Sequence, residues 1–164
     1  PGAARRHGER VFAAAIEACR RRGRRGVLLT KYPEQLPASL PPTILAPGFT
    51  PLARLLERSA AFVHHGVIGS SARGLAAGVP QLIQPMAFDQ HDNALRLRRR
   101  GVADELKPRR CTGRRAAAKL DRLLGSIEVA AAATRWAARI DSGAALDAAC
   151  EALEERGATQ EVAS

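Results

Sequence analysis

Short apolar runs alternate with helical segments along most of the chain, and this alternation limits the possible folds more than any other feature of the sequence. Each run is bounded by glycine, proline or polar residues, which is typical of buried parallel strands. Strands are predicted at residues 27–29, 43–45, 61–64, 80–84 and 102–106, and helices at 9–22, 51–57, 70–77, 89–100, 113–124, 127–140 and 143–156. The order predicts an α/β fold, an open parallel sheet with helices on both faces.

A chain of 164 residues has the size of one domain. Residues 31–42 contain four prolines and are predicted as a loop. We expect residues 1–156 to form one ligand-binding domain and residues 157–164 to be a frayed tail. Open parallel sheets bind ligands at the carboxyl ends of their strands, so the loops that follow the second, third and fourth predicted strands are the candidate site.

The loop after the third predicted strand has the composition of an anion site. Gly66 and Gly69 allow the backbone to approach a ligand closely. Ser70 and Ser71 place hydroxyl groups at the start of a helix, where unpaired N–H groups and the helix dipole favour phosphate. The alternative is a tight strand-to-helix turn in which a serine caps the helix, and the residues alone leave both interpretations open.

The loop after the fourth predicted strand ends in a carboxylate and an amide, Asp89 and Gln90. Together these groups accept and donate hydrogen bonds, which suits a hydroxyl-rich ligand. The alternative for Asp89 is a helix N-cap, with Asp92 in the first turn, and for Asp89 taken by itself this alternative is favoured.

A net charge of +10 raises a further possibility, a nucleic-acid-binding module. Aromatic residues make up only 4% of the chain, too few for a base-stacking platform. Residues 5–31 and 96–122 carry net charges of +7 and +8, whereas residues 32–95, which hold the candidate loops, carry −1. We therefore expect no nucleic-acid partner; the basic segments would steer an anionic ligand or hold the protein near an anionic membrane.

Three widely spaced motifs resemble the nucleotide-sugar-binding signature of family 1 glycosyltransferases, and most closely that of the bacterial branch acting on lipids, sterols and natural products. That branch typically reads VHHGGxGTT, LxAGVPQ and PxxxDQxxNA. This chain has VHHGVIGSS at 63–71, LAAGVPQ at 75–81 and PMAFDQHDNA at 85–94. A weaker resemblance covers most of the chain. It implies the C-terminal half of a GT-B fold, in which two Rossmann-like domains face each other across a cleft.

The resemblance implies a role for each residue that matches the signature. His65 corresponds to a histidine that contacts the donor diphosphate, and His64 to a structural position at the strand end. Phe49 stands where the family often has an aromatic residue against the base, although a core-facing Phe is an equal alternative. The family's phosphate cradle corresponds to Gly66, Gly69, Ser70 and Ser71. The pair that holds the sugar hydroxyls corresponds to Asp89 and Gln90.

The implied reaction is inverting transfer of a sugar from a UDP- or TDP-linked donor to an acceptor hydroxyl of a lipid, sterol or natural product, without a metal or other cofactor. The general base is expected in an N-terminal acceptor-binding domain, so this chain would hold no catalytic residue and would be inactive alone. Residues 1–3 resemble the end of a first strand and its following loop, and the strand itself is expected to be missing.

Two positions depart from the family pattern. Val67 replaces a second glycine, and because a β-branched residue resists positive φ, the loop must differ if that glycine was needed for its backbone. Arg73 stands where plant relatives carry a ribose-binding glutamate, and an Arg cannot accept hydrogen bonds from ribose. A nucleotide-sugar epimerase of the same architecture is the alternative enzyme. Because the three cysteines form no CxxC motif and cannot all pair, we expect a cytoplasmic protein, peripheral on the inner membrane face if it contacts lipid.

Overall fold

The computed structural model of the protein describes residues 2–140, 143–144, 147–148 and 150–154. Within these ranges it has five strands: β1 (Gly26–Val27), β2 (Ile44–Leu45), β3 (Phe62–His64), β4 (Gln81–Ile83) and β5 (Ala103–Glu105). Its helices are α1 (Gly2–Arg21), α2 (Leu52–Leu56), α3 (Ile68–Ala76), α4 (Gln90–Arg99), α5 (Gly113–Gly125) and α6 (Ile127–Ala137). The predicted α/β class and every predicted strand are confirmed, although each strand is shorter than expected.

The differences from the predicted elements lie mostly at their ends. Gly2 and Ala3 are helical, so the expected strand end and loop at this position are wrong. Short 3-10 turns occur at Pro33–Gln35, within the predicted loop, and at Pro108–Arg110. The described residues of the helix predicted at 143–156 are helical up to residue 154. The remainder of that helix and the tail predicted at 157–164 lie outside the described residues.

The parallel strands form two sheets rather than the one predicted. β1 pairs with β2, and β3, β4 and β5 form a second sheet in that order, all in parallel register. Strand pairing joins residues distant in the sequence, so a local apolar pattern predicts the strands without predicting which edges meet. The candidate loops at 64–67 and 84–89 leave neighbouring strands of the three-stranded sheet.

The core lies on both faces of the three-stranded sheet. Leu82 and Ile83 are adjacent on β4, each with no exposed surface, and they belong to different apolar clusters. Leu82 clusters with alanines of α1 and α5, and Ile83 clusters with residues of α4 and α6. Helices therefore cover both faces, as predicted, and this explains why β4 reads as a continuous apolar run.

Helix caps explain where the later helices begin and end. The hydroxyl of Thr112 accepts from the N–H of Arg115, and that of Ser126 accepts from Val129, so α5 and α6 begin at the predicted residues. Gly78 and Gly101, at positive φ, follow the ends of α3 and α4. Among the described residues, none of the helices combines the length and hydropathy that a bilayer crossing requires.

Candidate functional site

The two predicted loops meet at the carboxyl ends of β3 and β4. The Asn93 side-chain amide on α4 donates to the carbonyl oxygen of Gly66 at 2.9 Å and to Asp89 Oδ2 at 2.8 Å. The β3–α3 loop is thereby joined to the start of α4. The structure thus brings together the residues expected to hold phosphate and those expected to hold the sugar.

Gly66 is required for this close approach. Its φ of +96° is one that side chains rarely adopt. A Cβ atom there would lie 2.8 Å from Ile83 Cγ2 and 3.2 Å from the carbonyl oxygen of Gln90. Only glycine therefore allows the turn to pack directly against β4 and the start of α4.

Val67, by contrast, is unstrained. Its φ of −63° and ψ of 147° lie in the ordinary extended region, and it occupies the N-cap position of α3. A glycine at this position is thus not needed for the backbone conformation seen here. The expected conflict between a β-branched side chain and a positive φ does not arise.

The start of α3 is an uncapped helix N-terminus. The helix begins at Ile68, two residues earlier than predicted, and no side chain caps it. The N–H of Ser71 donates to the carbonyl oxygen of Val67 at 3.0 Å, so the N–H groups of residues 68–70 are those that a helix leaves without an intrahelical acceptor. Ser70 and Ser71 lie inside the first turn, and the alternative in which one of them caps the helix is wrong.

The two adjacent histidines have different surroundings. His64 Nδ1 accepts from the N–H of Gly66 at 3.1 Å, so the proton is on Nε2, which donates to Gln81 Oε1 at 2.8 Å. Burial, which outweighs the hydrogen bond to Gln81, lowers the pKa of the His64 imidazole to about 4. His64 is thus a neutral structural group, whereas His65 is exposed.

Asp89 and Gln90 have different surroundings. Gln90 is buried, and its Oε1 accepts from the N–H groups of Met86 at 2.8 Å and Ala87 at 3.3 Å. Its amide nitrogen is therefore the group left to donate to a ligand. Asp89 is exposed and stands at the N-cap position of α4, but its side chain makes no capping hydrogen bond. The capping alternative therefore does not account for its carboxylate.

Phe49 lies in the loop after β2, which belongs to the other sheet. Its side chain is 89% exposed, so the alternative of a core-facing Phe is wrong. A cavity of about 230 Å³ lies at the carboxyl ends of β1 and β2, and its lining includes Thr30, Lys31 and Gly48, the residue before Phe49. Phe49 is therefore placed where it could contact a ligand at this end of the molecule.

Two residues that hold the site together, Asn93 and Gln81, are not predicted from the sequence. Asn93 lies four residues after Asp89, a spacing that puts two side chains on the same face of a helix. This spacing is the sequence pattern that indicates a contact between Asn93 and Asp89. Gln81 is fully buried between His64 and the carbonyl oxygen of Ser71, and no local pattern indicates that role. Arg73, on α3, is exposed. Across the described ranges, no group of three His, Cys, Asp or Glu side chains could hold a metal ion.

A known protein family matches most of the chain. The profile of the family described as "Erythromycin biosynthesis protein CIII-like, C-terminal domain" matches residues 27–155. The chain is 33% identical over 158 residues to O-mycaminosyltylonolide 6-deoxyallosyltransferase of Streptomyces fradiae, an alignment that covers 96% of this chain and 37% of that protein. It is 46% identical over 66 residues to the elloramycin glycosyltransferase ElmGT of Streptomyces olivaceus, which covers 40% of this chain and 17% of that protein.

A solved structure has the same architecture. The calicheamicin glycosyltransferase CalG4 matches 74% of this chain with a TM-score of 0.67 and 27% sequence identity, and the match covers 32% of that protein. The chain thus spans about a third of the length of the 6-deoxyallosyltransferase and of this solved relative.

Proposed function

Because the chain belongs to the family of erythromycin biosynthesis protein CIII-like C-terminal domains, we propose that it binds the nucleotide-diphosphate sugar donor of a glycosyltransferase. Such domains are parts of longer glycosyltransferases, so the fold implies an N-terminal, acceptor-binding domain as partner. The named relatives are glycosyltransferases rather than epimerases, and the epimerase alternative is therefore dropped.

The observation that supports this function best is the exposed, uncapped start of α3. Its unpaired N–H groups and positive dipole end favour a diphosphate. The exposed His65 lies three residues before the helix and adds a hydrogen-bond donor, while Gly69 leaves open space, with nothing within 4 Å of an added Cβ. We assign the diphosphate to His65, Gly66, Gly69, Ser70 and Ser71. The Ser71 hydroxyl is buried and has no hydrogen-bond partner among the described residues.

The other donor groups are assigned to the neighbouring loops. Asp89 would accept hydrogen bonds from sugar hydroxyls, and Gln90 would donate one from its amide nitrogen, since its oxygen is occupied by backbone N–H groups. Phe49 would stack on the nucleobase. This stacking is compatible with both UDP-linked and TDP-linked donors.

The proposed reaction is inverting transfer to an acceptor hydroxyl of a lipid, sterol or natural product. As the bond between the anomeric carbon and the diphosphate breaks, negative charge develops on the leaving phosphate. The N–H groups at the start of α3 and the side chain of His65 would stabilise that charge. The base that takes the acceptor's proton would be supplied by the N-terminal domain, so this chain alone should show no transfer activity.

Titration of the chain with UDP, TDP and their glucose conjugates tests donor binding, with affinity measured by calorimetry and contacts by NMR. We expect His65→Ala to weaken UDP or TDP binding by about ten- to a hundredfold, because a hydrogen bond to a charged group contributes about 1.5–3 kcal/mol. His91→Ala removes another exposed histidine, on α4, and should leave affinity unchanged. His64→Ala should weaken binding less than His65→Ala. Equal affinities for wild type and His65→Ala would reject the diphosphate assignment.

The location of the protein is a separate proposal. The cysteines at positions 19, 111 and 150 are free thiols, which agrees with a reducing cytoplasm. The basic segments 5–31 and 96–122 support peripheral contact with an anionic inner membrane face. Binding of the protein to vesicles of neutral lipid is compared with its binding to vesicles that contain about 30% phosphatidylglycerol. Equal binding to both would reject the electrostatic contact.

The divided sheet supports a proposal about domain organisation. Gly26 and Leu28 donate toward β2, which leaves the N–H of Val27 on the opposite edge of β1. The N–H of Phe62 donates toward β4, which likewise leaves the N–H of Val63 on the outer edge of β3. We propose that one further strand, in addition to the five described, pairs with both edges and joins the two sheets within one domain. Hydrogen exchange in a chain extended by such a strand should then slow at Val27 and Val63.

A further inference from the structure

Phe88 combines a strained backbone with an exposed ring. Its φ of +56° makes it the one residue other than glycine with positive φ among those the structure describes. For a bulky aromatic residue this conformation is a genuine outlier. Its side chain is 92% exposed, so the ring contributes almost nothing to the core.

The surrounding loop holds Phe88 in this conformation. Pro85, before it, is fully buried, and the Gln90 side chain accepts from the N–H groups of Met86 and Ala87. The N–H of Gln90 donates back to the carbonyl oxygen of Ala87 at 3.3 Å. The loop is therefore closed on both sides of Phe88. A strained residue whose ring packs against nothing in the fold suggests a role for that ring toward a ligand.

The neighbouring residue indicates the kind of ligand. Phe88 immediately precedes Asp89, the exposed carboxylate proposed to accept hydrogen bonds from sugar hydroxyls. A pyranose ring presents hydroxyl groups at its edge and C–H groups on its face. An aromatic ring next to a carboxylate matches both surfaces, because binding sites combine apolar walls with a few placed polar groups.

From this juxtaposition we propose that Phe88 packs against the C–H face of the donor sugar and contributes to the choice of sugar. The inference rests on the proposed function, since it presupposes a nucleotide sugar in the site. It predicts that Phe88 contributes to the affinity for the sugar and not to the affinity for the nucleotide. Contact with the acceptor or with the N-terminal domain is the competing explanation of the exposed ring.

The experiment compares the chain's affinity for a nucleotide diphosphate with that for the corresponding nucleotide sugar. UDP and TDP are titrated alongside UDP-glucose, TDP-glucose and TDP-rhamnose, and the sugar contribution is the ratio of the two dissociation constants. Phe88→Ala should reduce that ratio about three- to tenfold and leave UDP or TDP affinity unchanged. Phe88→Tyr, which keeps an aromatic face, should preserve the ratio. Ile127→Ala, which truncates another apolar side chain that is 82% exposed, should have no effect.

A stability measurement gives an independent readout of the same residue. Phe88→Gly relieves the positive φ and removes no core packing, so the melting temperature should rise by about 2–4 °C while the sugar contribution falls. Opposite changes in stability and sugar affinity are not expected of a residue with a purely structural role.

Two results would overturn the inference, and they are distinguishable. If the wild-type chain binds neither nucleotide nor nucleotide sugar, the proposed function fails and the role of Phe88 fails with it. If UDP or TDP binds normally but Phe88→Ala leaves the ratio unchanged for all three nucleotide sugars, only the role of Phe88 is rejected.

Discussion

The two sheets of this domain support the site in different ways. In the three-stranded sheet every residue of β4 is buried, and helices cover both of its faces. In the two-stranded sheet Ile44 is buried and Leu45 is 64% exposed, and the residue just after β1, Leu28, is also buried. The two loops proposed to hold phosphate and sugar thus follow strands of a sheet with its own core, whereas Phe49 follows a sheet with little core of its own.

This difference separates the two halves of the proposed donor site. At the β3–α3 loop, His64 and Asn93 hold the backbone of Gly66 by one partly buried and one buried hydrogen bond, and Gln81 holds His64 by another partly buried one. Such networks tolerate change poorly, because an unpaired buried group is costly. Phe49 has no comparable support, and its substitution should affect ligand binding without affecting the fold. The following predictions test this contrast.

The largest effect is expected from adding one methyl group at Gly66. Gly66→Ala should lower the free energy of unfolding by about 3 kcal/mol, from the strained φ and the crowding against Ile83 and Gln90. Gly69→Ala is the matched control: nothing lies within 4 Å of its added Cβ, and alanine favours helix, so stability should hold or rise slightly. Urea unfolding measures both. Equal stabilities for the two variants would show that the phosphate loop is not held as tightly as the structure indicates.

A smaller effect concerns acid stability. The pKa of His64 is about 4 in the folded protein against 6.5 ordinarily, so the unfolded chain binds the proton more readily. The stability that neutral His64 provides is complete above pH 6.5 and is lost as the pH falls toward 4. The wild type should therefore lose about 2–3 kcal/mol over this interval beyond what His64→Gln loses.

Unfolding in urea at several pH values between 7 and 4 measures this loss. Carboxylates titrate in both proteins, so their contributions cancel in the comparison. Parallel curves for wild type and His64→Gln would mean that the buried imidazole is protonated as easily in the folded chain as in the unfolded one.

How much the sequence predicts can be judged at particular residues. All five strands follow from apolar runs, and α5 and α6 begin where Thr112 and Ser126 place caps. The helix α3 begins two residues before its predicted start. The reason is that its N-cap, Val67, has no capping side chain, whereas the serines at positions 70 and 71 resemble caps. Helix ends are predictable where local hydrogen bonding sets them, and not where the fold does.

The site shows the same limit. The resemblance grouped His64, His65 and the Asp89–Gln90 pair, and the structure brings their loops together through Asn93. The burial of Gln90, the network around Gln81 and the division of the sheet all depend on contacts between distant segments. Periodicity and residue type carry no information about such contacts, so these features could be found only in three dimensions.

The smallest effect on stability, and the sharpest test of the contrast between the sheets, is expected at Phe49. Because its ring is 89% exposed, Phe49→Ala should change the free energy of unfolding by less than about 0.5 kcal/mol. The same variant should weaken UDP or TDP binding about tenfold, since stacking on a base contributes about 1–3 kcal/mol. Tyr32→Ala removes another exposed aromatic side chain that follows β1 and should change neither property. A loss of stability at Phe49 would mean that the two-stranded sheet depends on this ring, and unchanged nucleotide affinity would remove Phe49 from the donor site.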